Sequence, residues 1–230
     1  MKYTGTFFRL TVKELGSSYQ LYLSVALLSG IFYLLLSKIG PALADPKAAG
    51  LAAGQLVYST LSSGIVLVFL FLQPVFLSEK REGTIIPLLC SPAGANDLLF
   101  GKCAGVTAVA MAGSLLSLAF PLAFSPVIFK AMLAPGAVAA VFIVSGIVFS
   151  YVAITGMLLL CLSNVKVVYP ALFFMNYVPV ALNRYSKGYM QAHGLGGANW
   201  LHLLSLAIFL LFAASMHRFY FTKQRIVRSA

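Results

Sequence analysis

The chain has 230 residues, of which 60% are hydrophobic and only 9% charged, and its mean hydropathy is +0.94. This composition excludes a soluble globular domain, which needs a larger polar surface, and indicates an all-α, polytopic membrane protein. The net charge of +11 is expected to reflect cationic loops facing anionic lipid. Nucleic-acid binding is not expected, because no basic patch lies outside short loops and the tail.

Residues 1–19 are predicted to form an amphipathic helix lying in the inner membrane interface. Lys2, Thr6, Arg9 and Lys13 fall on its polar side. The opposite side carries the apolar residues Tyr3, Phe7, Phe8, Val12, Leu15 and Tyr19. A simple membrane anchor and a partner-docking helix both fit this pattern.

Six windows reach or approach the roughly 20 apolar residues that a membrane-crossing helix needs. The fifth is short and contains Pro170 and Pro179, so we expect it to be kinked or partly re-entrant. Residues 41–44 resemble a signal-peptidase site, but the long segment before the first window favours a retained span. The predicted spans of this single transmembrane domain are 20–37, 56–77, 103–124, 137–161, 167–183 and 200–217.

The distribution of lysine and arginine predicts that both termini are cytoplasmic. Of the 16 basic residues, eleven then lie inside and five outside. The inner set is Lys2, Arg9, Lys13, Lys80, Arg81, Lys102, Lys166, Arg218, Lys223, Arg225 and Arg228, and the outer set is Lys38, Lys47, Lys130, Arg184 and Lys187. We therefore expect a multi-pass protein of the cell (inner) membrane.

The predicted spans contain no charged residue near their middle, which argues against a proton pump or an ion-coupled transporter. Hydroxyl-bearing Ser59 and Ser63 lie in the second span, and the fifth carries a polar series of Tyr169, Asn176, Tyr177 and Asn183. These six residues are our candidates for a transport pathway or a dimer seam, although ordinary helix packing also explains the serines. Cys90, Cys103 and Cys161 show no metal or redox spacing.

The segment 78–102 lies between the second and third spans and contains four consecutive charged residues, 79–82. Gly83 predicts a turn, and Thr84 can cap a short helix that contains Pro87 in its first turn and includes Leu88. Ser91-Pro92 is expected to end that helix. Asn96 or Asp97 then caps the third span, and Lys102 is expected at the headgroups.

The pattern Glu79-x-x-x-Gly83-Thr84, followed by Pro92 and then Gly101-Lys102, resembles the signature of ABC-2 type permeases, the membrane subunits of type-2 ABC exporters. The plan of the whole chain is also similar: an interfacial N-terminal helix, six spans and internal termini. One departure is Pro87, where the family tends to carry helix formers.

The resemblance implies that segment 78–102 is a cytoplasmic coupling helix inserted into a separate ATPase subunit. Glu79, Gly83, Thr84, Leu88, Pro92 and Lys102 would form this partner-binding element. The chain would work as a homodimer embedded in membrane lipid and would export a hydrophobic or amphipathic substrate. Segment 184–199 would form a re-entrant outer region before the last span.

This chain has no P-loop of its own, because Asn96 stands where the first glycine belongs and Cys103 follows Lys102. ATP and Mg²⁺ are therefore expected on the partner ATPase, with no cofactor, metal or catalytic residue in this chain. The alternative is a non-transporting scaffold or assembly subunit that docks a cytoplasmic partner. A membrane enzyme would need a catalytic constellation that the sequence lacks, and His193 and His202 offer only a haem- or metal-ligand hypothesis.

Overall fold

The computed structural model describes residues 3–39, 46–90, 92, 94–123, 126–133, 135–162, 200 and 202–229. Within these ranges the chain is helical and contains no strand, which confirms the all-α prediction. A π-helical segment, Gln73–Leu77, follows the third helix directly. The α-helices are α1 (Thr4–Gly16), α2 (Tyr19–Ile39), α3 (Pro46–Leu72), α4 (Ser78–Arg81), α5 (Ile85–Cys90), α6 (Ala95–Ala123), α7 (Pro126–Met132), α8 (Pro135–Cys161), α9 (His202–Phe219) and α10 (Lys223–Ser229).

Four stretches of helix are long and apolar enough to cross a membrane: Ser59–Leu77, Ala95–Phe120, Ala137–Cys161 and His202–Phe219. Helices α1 and α2 meet at a bend of 65° and would supply a fifth span if the pair is counted as one. The predicted fifth span, 167–183, and the re-entrant segment 184–199 lie outside the described residues. Within the described part of the chain there are thus four to five candidate spans, whereas the sequence predicted six for the whole chain.

The core lies where α3, α6 and α8 pack together, and α6 also contacts α1 and α2. Phe71, Leu99 and Tyr151 are among its fully buried side chains. Helix α9 is peripheral, since only 11% of its apolar window is buried within the protein. Its exposed apolar side chains, which include Leu203, Ile208 and Phe212, are suited to contact with lipid.

Helix α6 begins at Ala95, before the predicted start of the third span at residue 103. Asn96 and Asp97 therefore lie in its first turn. The Asp97 carboxylate accepts a hydrogen bond from the backbone N–H of Gly94, the residue before the helix, so Asp97 caps the helix start from within the first turn. The Thr4 hydroxyl donates to Asp97 Oδ1 at 2.7 Å. Lys102, predicted at the headgroups, is buried instead. Both charged groups have partners inside the protein, which lets the helix extend past them.

Helix α1 is amphipathic as predicted, and one of its faces packs against α6. Thr11 and Leu15 are buried on that face, whereas Tyr19 belongs to α2 and is largely exposed. Gly101 and Gly105, one turn apart on α6, form the seat for α1. A Cβ atom added at Gly101 would lie 2.6 Å from Thr4 O, and one at Gly105 would lie 2.7 Å from Thr11 Cβ.

Candidate functional site

The ends of α1, α6, α8 and α9 meet at one end of the bundle. Asn96 Oδ1 of α6 lies 3.0 Å from His217 Nε2 of α9. The Cys161 thiol at the end of α8 lies 4.0 Å from the Tyr220 carbonyl oxygen, which follows α9. We call this end of the bundle the basic end and define it by the exposed cations of the elements that meet there and of the segments that adjoin them: Arg9, Lys13, Arg81, Arg218 and Arg225.

At the basic end, α3 passes into the π-helical segment Gln73–Leu77, a local widening of the helix that is often found at functional sites. Pro74 has no N–H to place in the helical ladder, which is one reason for the ladder to change its hydrogen-bonding pattern here. The Ser78 hydroxyl donates to the Pro74 carbonyl oxygen. Val75, Phe76 and Leu77 are buried, so this segment is packed into the core.

Lys102 of α6 joins the π-helical segment to the rest of the bundle. Its side chain is only 5% exposed, and Nζ donates to the Val75 carbonyl oxygen at 2.5 Å. Nζ also lies 5.6 Å from the centroid of the Phe76 ring, within range of a cation–π interaction. On α8, a Cβ added at Gly156 would be 2.9 Å from Phe76 Cζ. The π-helical segment is therefore tied to both α6 and α8.

A short exposed structure leads from the π-helical segment to α6. Helix α4 ends in a turn in which Gly83 has φ of +69°, a left-handed conformation that favours glycine. The Leu88 N–H donates to the Thr84 carbonyl oxygen at 3.2 Å, which closes the first turn of α5. A short helix thus lies between the second and third spans, where the sequence predicted one.

Helix α5 is anchored by one side chain and presents the next one outward. Ile85 is 1% exposed and belongs to the main core, whereas Ile86 is 41% exposed. Pro87 is also exposed, as are the residues of the preceding turn, 81–84. Ile86 and Pro87 are therefore accessible beside the charged turn, where a partner could contact them.

The six predicted partner-binding residues do not share one environment. Gly83 and Thr84 lie in the exposed turn, Leu88 is half-buried on α5, and Pro92 is exposed between α5 and α6. Glu79 belongs to α4, and its side chain is not among those described. Lys102 differs from the rest, because it is buried beneath the segment and contacts Val75.

Of the pathway or seam candidates, Ser59 and Ser63 line a cavity of about 210 Å³ between α2 and α3, together with Ser62. The Ser63 hydroxyl donates to the Thr60 carbonyl oxygen at 3.1 Å. Leu28 and Phe32 supply part of the apolar wall on the α2 side. Tyr169, Asn176, Tyr177 and Asn183 lie outside the described residues, as does His193.

Among the described residues, no group of three or more His, Cys, Asp or Glu side chains is arranged to hold a metal ion. The Lys102 to Val75 contact and the Asn96 to His217 contact were not anticipated from the sequence. Their members are separated by 27 and 121 positions, so no local spacing could reveal them. Pro74 within an apolar run is the single local signal that the helix changes there.

The chain matches no family model, and no curated protein or solved structure matches it.

Proposed function

We propose that this chain is the membrane-spanning subunit of an ATP-driven exporter of the ABC-2 type. Two copies would bind two separate ATPase subunits, which hold the ATP and Mg²⁺. The substrate would be a hydrophobic or amphipathic molecule taken from the cytoplasm or the inner leaflet. The observation that carries the proposal is helix α5, in which Ile85 is buried in the core and the next residue, Ile86, is exposed.

The connections of α5 support a role in force transmission. Movement of α5 would pass through the charged turn into the π-helical segment and from there into α3. Lys102, hydrogen-bonded to the Val75 carbonyl oxygen, would carry part of that movement into α6. A π-helical segment suits this task because its ladder of hydrogen bonds is already irregular and can change without breaking a complete helix.

The test is affinity purification of the full chain from its native membranes, comparing wild type with Ile86→Glu. We expect wild type to retain a P-loop ATPase in stoichiometric amount, with vanadate-sensitive ATP hydrolysis. Ile86→Glu should reduce that retention at least about tenfold, because the cost of burying an unpaired carboxylate in an apolar cleft exceeds 1.4 kcal/mol.

The matched control is Val227→Glu, which makes the same kind of change at a 48%-exposed apolar residue of α10. Val227 lies on a different helix of the basic end, so this variant should keep the ATPase. Equal retention by both variants would contradict docking at α5. A stoichiometric partner without ATPase activity would instead establish the scaffold alternative.

A further inference from the structure

A second cavity, of about 280 Å³, lies between α6, α8 and α9, away from α5. Its wall is almost entirely apolar, and the hydroxyl of Ser150, one of its few polar groups, donates to the Gly146 carbonyl oxygen at 2.9 Å. An occupant with internal polar groups would lose hydrogen bonds to water without replacement. The apolar wall includes Leu99, Phe149, Ala153, Met157, Leu210 and Ala213.

The lining of the cavity follows the axes of α8 and α9. It runs from Phe149 to Met157 on α8 and from Leu210 to His217 on α9. At 1.5 Å of rise per residue these stretches span about 10–12 Å. The volume falls just below the roughly 300–1,000 Å³ typical of pockets for complete small-molecule ligands. These dimensions fit part of a hydrocarbon chain that lies parallel to the helices.

The lining of this cavity ends at a polar side chain, His217, whose neighbour in the chain is a cation. His217 closes the lining, with Nε2 hydrogen-bonded to Asn96 and its ring 5.6 Å from that of Phe221. Arg218 follows His217 directly and is exposed, and the Arg225 guanidinium lies 4.5 Å from the Tyr220 ring centroid. Basic side chains at the end of an apolar cleft between membrane helices favour an anionic headgroup.

We propose that this cavity holds one acyl chain of an anionic phospholipid, with the phosphate beside His217 and Arg218. The apolar lining selects the chain, and the cations select the headgroup. The site is independent of the proposed transport function, since it shares neither α5 nor the π-helical segment. The acyl chain would lie between α6, α8 and α9, and the rest of the lipid would lie outside the cavity.

The chain-binding half is tested by native mass spectrometry of the full protein released from vesicles of equimolar phosphatidylglycerol and phosphatidylcholine. Ala213→Phe places a ring in the cavity, and Ala214→Phe, at a second lining residue, serves if the first variant does not fold. The control is Ala207→Phe, an exposed alanine of the same helix that does not line the cavity.

We expect wild type and Ala207→Phe to retain phosphatidylglycerol. In the cavity-filling variants the fraction of protein with bound phosphatidylglycerol should be at least about fivefold lower. Equal retention in the cavity-filling variants and Ala207→Phe would overturn the site. A retained free fatty acid, in place of phospholipid, would overturn the proposed occupant.

The headgroup half is tested with Arg218→Gln, and Arg9→Gln is the control because Arg9 is an exposed cation of the same end on α1. One cation near a lipid surface corresponds to about fivefold in binding. Arg218→Gln should therefore lower the preference for phosphatidylglycerol about fivefold, while Arg9→Gln leaves it unchanged. If wild type retains both lipids equally, or if both variants behave alike, the anionic selectivity is wrong.

Discussion

At the residue scale, Lys102 explains how a cation is accommodated within an apolar bundle. Burying an ammonium group without partners is very costly, so its position requires an acceptor. The acceptor is the Val75 carbonyl oxygen in the π-helical segment. The Phe76 ring, 5.6 Å from Nζ, adds a second favourable contact. Lys102 therefore ties α6 to the π-helical segment that follows α3 and precedes the exposed turn.

Replacing Lys102 with methionine keeps most of the packing but removes the charged hydrogen bond. Such a bond contributes about 1.5–3 kcal/mol, so the π-helical segment should open more readily by roughly tenfold or more. We expect faster amide hydrogen exchange in residues 73–82 of Lys102→Met, measured by mass spectrometry in detergent, and unchanged exchange in α8. Lys13→Met, at an exposed lysine of α1, is the control. Wild-type exchange rates in Lys102→Met would show that the lysine does not hold this segment.

At the element scale, the contact between α1 and α6 depends on small residues. Asp97, Gly101 and Gly105 are spaced four apart and therefore share one face of α6. Small residues at this spacing let two helices approach closely, as in helix pairs within membranes. The Thr4 to Asp97 hydrogen bond lies at the start of the same face. A helix expected only to lie at the lipid interface is thus also part of the packed protein.

Gly101→Ala tests this contact. The added methyl would lie 2.6 Å from Phe7 Cβ and from Thr4 O, and because one of these is a backbone atom, α1 must shift. We expect a loss of about 1–3 kcal/mol in unfolding free energy, as for other overpacked sites, and faster tryptic cleavage after Arg9 and Lys13. Gly30→Ala on α2 is the matched control.

Nothing lies within 4 Å of a Cβ atom at Gly30, and alanine is the better helix former by roughly 0.5–1 kcal/mol. The control should therefore be neutral or slightly stabilising. If Gly101→Ala were as stable as Gly30→Ala, the close approach of α1 to α6 would not exist in the protein in solution.

The sequence predicts elements well where hydropathy alone decides them. The window 137–161 lies within α8, which carries no charged residue. The apolar window 103–124 is shorter than α6, because Asp97 and Lys102 lower the hydropathy of its first two turns. Their partners, Thr4 and Val75, are distant in sequence and become visible only in three dimensions.

In the candidate site, too, features with a local sequence signal could be predicted and features that depend on distant contacts could not. A glycine directly after a cluster of charged residues is a local signal, and it predicted the turn at Gly83. The burial of Lys102 and the π-helical segment could not be predicted, because a one-residue change in helical pattern leaves composition and periodicity almost unaltered. The short helix α7 and the C-terminal helix α10 were also missed, since seven-residue helices carry too little periodicity to stand out.

At the scale of the whole molecule, the charges of the described residues separate along the bundle. Cations of α1, α4, α9 and its C-terminal extension gather at the basic end. Lys130 lies on α7, beyond the far end of α6, and the 29 residues of α6 span about 44 Å at the α-helical rise. The arrangement is compatible with the predicted orientation, in which the more basic end faces the cytoplasm.

Two cysteine variants test this orientation, each in a background where the three native cysteines are replaced by serine. Glu82→Cys reports on the exposed turn of the basic end, and Lys130→Cys reports on the opposite end. We expect a membrane-impermeant maleimide to label Lys130→Cys in intact cells. Glu82→Cys should react only after the membrane has been opened, because the basic end is inside.

The opposite labelling pattern would contradict both the predicted topology and the proposed function. ATP is a cytoplasmic molecule, so an ATPase subunit can bind α5 only if the basic end lies inside. Labelling of Glu82→Cys in intact cells would place α5 where no such partner could reach it, and the proposed exporter function would fail together with the predicted orientation. The anionic phospholipid proposed between α6, α8 and α9 would survive, because it requires the basic end to meet a leaflet surface and not a particular side of the membrane.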